Sequence, residues 1–133
     1  TADTTQERML IFRVAPPPDF APKLIGNYPG SFDYCQPDTL IAYASDVTSV
    51  MGTPYQVKIS NIKNLGSSFV VTATVGNGIV TIPLQTVSGR KIWGSGTFFH
   101  DSRPIYSTLY QLSIRDTIVV GTDTTRCNIN IRH

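Results

Sequence analysis

The chain has 133 residues, of which 41% are apolar and only 15% charged, the size and make-up of one folded domain and not of a disordered segment. Eleven basic against nine acidic residues leave a net charge of +2, and their scatter along the chain excludes the clustered basic footprint of a nucleic-acid partner. No apolar run approaches the roughly 18 residues that a membrane-crossing helix needs.

Residues 1–8, TADTTQER, are polar and expected to be poorly ordered. They show neither the charged n-region nor the apolar h-region of a signal peptide, and no initiating Met, as expected of a processed chain or of a piece excised from a longer one, so the missing signal does not imply a cytoplasmic protein. MLIFRV, residues 9–14, reads as a short apolar strand suited to pairing with another sheet edge, in a partner protein or in a second copy. The alternative is that it closes the domain's own sheet. APPPDFAP follows as a connector, because its prolines remove backbone donors and favour polyproline II. Residues 1–22 are therefore set apart from a compact unit over residues 23–133.

Within that unit, Val, Ile, Thr, Ser, Gly and aromatic residues dominate, and no apolar repeat of three and four is sustained, so the expected class is all-β. LIGNYPGSFDYC alternates Tyr28, Gly30, Phe32 and Tyr34 against Asn27, Ser31 and Asp33, with a bend or bulge at Pro29-Gly30. Residues 37–53 stay open between a strand with its loop and a helical turn. Tyr55, Val57 and Ile59 then alternate with Gln56, Lys58 and Ser60, and Phe69, Val71, Ala73 and Val75 alternate with Val70, Thr72 and Thr74. Asn77-Gly78 supplies the positive φ of a tight hairpin turn. Val80, Ile82 and Leu84 form one face of the returning strand, and Pro83 marks an edge or a bulged ladder. KIWGSGTFF, YSTLYQLSI, TIVVGT and TRCNINI bring the total to about eight short strands, a barrel or a sandwich.

Cys35 and Cys127 lie in the first third of the chain and near its C-terminal end. With only His100 and His133 beside them, no zinc site can be assembled, so no metal is expected. A closed barrel places its first and last strands side by side, where a disulfide between the two is geometrically possible; the alternative is two free thiols. Cys127 shares a face with Ile129 and Ile131, whereas Cys35 shares one with Asp33, a mismatch that a bulge or a strand end would remove.

Gly26, Tyr28, Gly30 and Phe32 form a G-x-Y-x-G-x-F strand; Val75, Val80, Ile82, Pro83 and Gln85 follow a V-x-x-x-x-I-x-I-P-x-Q pattern with Val at the first Ile position; Gly94 and Gly96 form a Gly-x-Gly pair. On these motifs, best over residues 55–97 and loosely over 24–131, the chain resembles the short lipocalin-like (calycin-like) β-barrel domains of secreted proteins and lipoproteins of Bacteroidota. The resemblance implies an antiparallel barrel of about eight strands, in the periplasm, at the cell surface or secreted, in a family whose members mostly lack an assigned activity. Whether residues 1–22 served as a tether behind a lipidated cysteine of a longer precursor stays open on the sequence. The segment 37–50 and the N-terminal strand depart from the family pattern, which leaves the strand order open and is expected of a module that is part of, or docks onto, something larger. The runner-up fold, an immunoglobulin-like β-sandwich, needs the cysteines to bridge facing sheets around a tryptophan, and Trp93 lies late in that interval.

No catalytic residues are assigned. His100-Asp101-Ser102 are consecutive and point apart, unlike a triad gathered from separate elements, and no G-x-S-x-G elbow presents a nucleophile. The aspartates, Asp33, Asp38, Asp46, Asp101, Asp116 and Asp123 among them, fall mostly at predicted turns and give no support to a glycosidase pair. GSGT at 94–97 lacks the lysine and helix of a phosphate loop, so its glycines are expected to permit a bulge or close strand packing. Tyr28, Phe32, Tyr55, Phe69, Trp93 and Tyr110 are the candidate walls of a barrel cavity for a small apolar ligand. The alternative is that the aromatics fill the interior, with Trp93 as a plug at a barrel end in preference to an exposed sugar-stacking platform. The expected function is a non-enzymatic extracytoplasmic module without cofactor, binding a small hydrophobic ligand, or else a structural or protein-interaction module of a surface assembly.

Overall fold

The structure, a computed structural model, describes residues 18–36, 38–100 and 110–133. The proposed strand at 9–14 and the Asp101-Ser102 pair lie outside the described residues. Eight strands, β1 (Gly26–Cys35), β2 (Thr39–Ser49), β3 (Gln56–Ser60), β4 (Val70–Gly76), β5 (Ile79–Val87), β6 (Arg90–His100), β7 (Tyr110–Val120) and β8 (Asp123–Ile131), pair antiparallel with their neighbours in sequence. β8 returns to β1, so the sheet is a closed barrel and not a sandwich. Residues 37–53, open on sequence, supply the long strand β2, with Tyr43, Ser45 and Val47 inside. At the β4–β5 hairpin, Asn77 (φ 52°) and Gly78 (φ 76°) take the two positive angles that the turn demands.

The interior follows the period of two. Val57 and Ile59, Phe69, Val71, Ala73 and Val75, Val80 and Ile82, then Leu112, Ile114 and Ile118 are all buried. Two irregularities change the parity. A register shift between Tyr28 and Ser31 inserts extra chain at Pro29-Gly30, so Tyr28 points inward but Ser31, Asp33 and Cys35 follow it, and Phe32 and Tyr34 turn outward. This corrects the single aromatic face read from the alternation. The same bulge removes the cysteine mismatch, since Cys35 and Cys127 now both face the interior. A second shift between Ile82 and Gln85 turns Leu84 outward, away from the face of Val80 and Ile82.

Gly94 and Gly96 sit on β6 where it lies hard against β7. A Cβ at Gly96 would fall 1.8 Å from the Ser113 carbonyl oxygen, and one at Gly94 would fall 2.3 Å from that of Arg115. Since backbone must move to admit it, Gly96→Ala is expected to destabilise the protein by about 2 kcal/mol in urea unfolding. An unchanged midpoint would show that β6 and β7 can separate freely.

Opposite ends of the barrel close differently. At one, Asp19 to Leu24 lie across the opening, ahead of the boundary expected near residue 23. Asp19 Oδ1 accepts hydrogen bonds from the Ala21 and Tyr55 backbone N–H groups, and the short helix α1 (Ala21–Leu24) buries Ala21 and Leu24. Phe20 packs its ring on Phe98 and Tyr110 at 5.6 and 6.4 Å. At the other end, the connection from β3 to β4 folds inward through a 3-10 turn, Ile62–Asn64, that buries Ile62.

Candidate functional site

That inward-folded connection builds the chemistry of the barrel. Asn61, Lys63 and Asn64 all hold left-handed backbone, at φ 61°, 57° and 59°. Asn61 anchors the segment: its Nδ2 donates to the Ala44 carbonyl at 2.8 Å, and its Oδ1 accepts from the Gly66 N–H at 2.8 Å. The strained turn aims the Lys63 side chain into the barrel. There Nζ lies 3.0 Å from Asp33 Oδ2 and 3.0 Å from Asp116 Oδ2, with both carboxylates fully buried and the lysine side chain 8% exposed. Tyr43 donates its hydroxyl to the other oxygen of Asp33. Beside this cluster, β1 and β8 are joined by the disulfide Cys35–Cys127, across a Cα separation of 4.1 Å and a sequence separation of 92.

Two carboxylates with no exposed surface share one ammonium. Burial lifts the Asp116 carboxyl to about 6, against the pull of Lys63. Burial also raises Asp33, against Lys63 and the Tyr43 hydrogen bond, and raises the Tyr43 phenol, which the Asp33 charge pushes further up. For Asp116, the unfolded chain ionises near 4 and the folded chain near 6, so the folded state holds more protons between these values and loses stability as pH rises through them. Asp116→Asn mimics the protonated acid. Urea unfolding is expected to show equal stabilities at pH 4, with the variant ahead by roughly 2 to 3 kcal/mol at pH 7. Parallel curves for the two proteins would show that Asp116 does not titrate in this window.

Asp33 lies with Cys35 and Cys127 in a group whose ligand atoms come within 4.8 Å of one another. The two sulfurs are bonded to each other, which leaves the carboxylate as the one ligand in the oxidised protein. Above the cluster is a depression of about 400 Å³ lined by Cys35, Ile41, Lys63, Leu65, Arg90, Ile118 and Val120.

The six aromatic candidates are not brought together. Tyr28 is buried at the α1 end, its hydroxyl donating to the Leu24 carbonyl at 2.6 Å and its ring 4.3 Å from that of His133; burial pushes its phenol up to about 12. Tyr110 belongs to the Phe20 and Phe98 cluster, and Phe69 is core below the 3-10 turn. Tyr55 is half-buried in the β2–β3 connection with φ 62°. Phe32 lies on the outer face with the Arg132 guanidinium 5.6 Å from its ring centre. Trp93 is also outside, 39% exposed, and plugs neither end. Lys63 and the meeting of Asp33 with Asp116 were not foreseen. Comparison with protein-family models, curated proteins and solved structures finds no match to this chain.

Proposed function

We propose that the chain is a non-enzymatic binding module of an extracytoplasmic surface protein, with the barrel as a rigid scaffold that meets its partners from outside. The observation that carries this reading is the packed interior. Val47, Val57, Ile59, Val71, Val80, Ile92, Ile129 and Ile131 fill it, and three of the six candidate ligand residues, Tyr28, Phe69 and Tyr110, serve as core while Phe32 and Trp93 face away. The buried acids share a lysine at the floor of the depression at the Lys63 end, and neither carboxylate reaches solvent, where acid–base chemistry would meet a substrate. The Cys35–Cys127 disulfide supports an oxidising compartment. Membership among the lipocalin-like barrels rests on the motif resemblance. The apolar segment 9–14 is the proposed contact with a partner sheet, because the eight described strands already form a closed ring in which each has two neighbours.

Native mass spectrometry of the unreduced full chain tests the reading. A bare protein mass is expected, and an apolar adduct released on denaturation would overturn it. The depression at the Lys63 end favours a second reading, a small apolar ligand held at the barrel mouth, which such an adduct would support.

A further inference from the structure

Three depressions of about 430, 440 and 630 Å³ run side by side over the outer face of the barrel. They form one groove, because the first two share Tyr34, Arg115 and Asn128 and the last two share Ser95 and Arg115. The register accounts for the alignment. Thr81, Ser95, Arg115, Asn128 and Tyr34 are successive cross-strand partners from β5 to β1, a row that spans roughly 20 Å at the usual strand spacing. Aromatic walls stand at both ends: Tyr34, 44% exposed, and Trp93, 39% exposed beside Leu84. The Tyr34 hydroxyl is tied to Asp38 Oδ1 at 2.8 Å, which fixes its ring. Between the walls the lining is hydroxyl, amide and guanidinium.

We propose that this groove binds an anionic oligosaccharide, with sugar rings on Tyr34 and Trp93 and the acid group on Arg115 and Arg126. The assignment rests on reading the barrel as a module that binds from outside. A pyranose ring offers an apolar C–H face and a rim of hydroxyls, and the groove offers aromatic faces with amide and hydroxyl groups between them. An extended peptide would need a free sheet edge, whereas each residue of the row from Thr81 to Tyr34 is already paired with a strand on both sides. A nucleic acid would need a run of cations, which two arginines in a chain of net charge +2 do not supply.

The anionic character follows from the charges. Arg115 and Arg126 make no ion pair among the described residues. Of the nearby carboxylates, Asp33 and Asp116 point into the barrel, Asp38 accepts the Tyr34 hydroxyl, and Asp123 lies at the β7–β8 turn. A carboxylate or sulfate on the sugar would pair with guanidinium in a charge-assisted, bidentate manner.

Trp93 is the one tryptophan of the chain, so its fluorescence reports directly on the groove. Three probes are titrated into the full-length, unreduced protein: tetragalacturonate, a sulfated heparin tetrasaccharide and neutral cellotetraose. Saturable binding of an acidic probe is expected, with cellotetraose about tenfold weaker and with Arg115→Gln, Tyr34→Ala and Trp93→Ala each weakening the acidic probe by about tenfold, the last read by calorimetry. All three positions are exposed, so thermal unfolding of the variants is expected to match the parent. Absence of binding by both acidic probes, or binding indifferent to all three substitutions, overturns the proposal. Equal binding of cellotetraose overturns its anionic part. An apolar adduct in the native mass spectrum would sink the external-module reading by itself, so the two failures are separable.

Discussion

Lys63→Met is expected to cost about 3 to 5 kcal/mol of stability at pH 7. Methionine keeps the length and volume of the side chain, so the loss comes from charge. Asp33 and Asp116 both lie fully buried on the Lys63 ammonium, at 3.0 Å each. Without it, two carboxylates share a dry site with the Tyr43 hydroxyl as the remaining donor to Asp33. They must be protonated to stay inside, and the proton uptake is charged against stability at neutral pH. The penalty should therefore shrink steeply towards pH 4, where the unfolded chain is also largely protonated. Lys63→Met with Asp33→Asn and Asp116→Asn should recover most of the loss at pH 7. The lysine also sits in a turn with three left-handed non-glycine residues, each costing on the order of 1 kcal/mol. Releasing its tether should speed amide exchange over residues 61–66 before the strands open. Equilibrium urea unfolding of the parent and both variants between pH 4 and 8 decides the matter. A Lys63→Met penalty that is small, or the same at all pH values, would show that water reaches the acids.

Much of this barrel is legible in period-two patterns. Phe69 to Val75 and Val80 with Ile82 fall on the faces that the alternation assigns, and the Asn77-Gly78 turn joins them. Asp116 carried a signal that was readable: in LSIRDTIV it shares its face with Leu112, Ile114 and Ile118, and an acid on an apolar face needs a partner. Lys63 carried none. It lies in a connection with no period, and its aim into the barrel depends on left-handed angles at Asn61 and Asn64 that composition does not specify. The outer groove was hidden for a related reason. Pro29-Gly30 announced a bulge, but one extra residue moves every later side chain of β1 to the opposite face. That shift put Tyr34 outside in the row with Asn128 and Arg115, and put Asp33 and Cys35 inside.

Replacing both cysteines, as Cys35→Ala with Cys127→Ala, is expected to remove about 4 to 5 kcal/mol in the chain-entropy model, since the bridge closes a loop of 92 positions. For a chain of this size that corresponds to a fall in Tm of about 10 to 20 °C. The bridge lies at a short seam. β6 and β7 pair along their full lengths, from Lys91 with Val119 to His100 with Tyr110, but β1 and β8 pair directly only over Phe32–Cys35 and Cys127–Asn130. This seam joins the two ends of the sheet, and its contacts are the most distant in sequence, so they lose the most chain entropy when they form. The seam should therefore be the first part of the double variant to open. Amide exchange at Phe32, Tyr34, Asn128 and Asn130 is expected to rise well before exchange in β6 and β7 changes. Opening there would also bring water to Asp33 beside the vanished sulfurs, so its carboxyl should move back towards the ordinary range and the acid-side gain in stability should diminish. Exchange that rises uniformly over all eight strands would show that the disulfide supports the whole barrel and not its seam, and an unchanged Tm would show that the backbone ladder closes the barrel unaided.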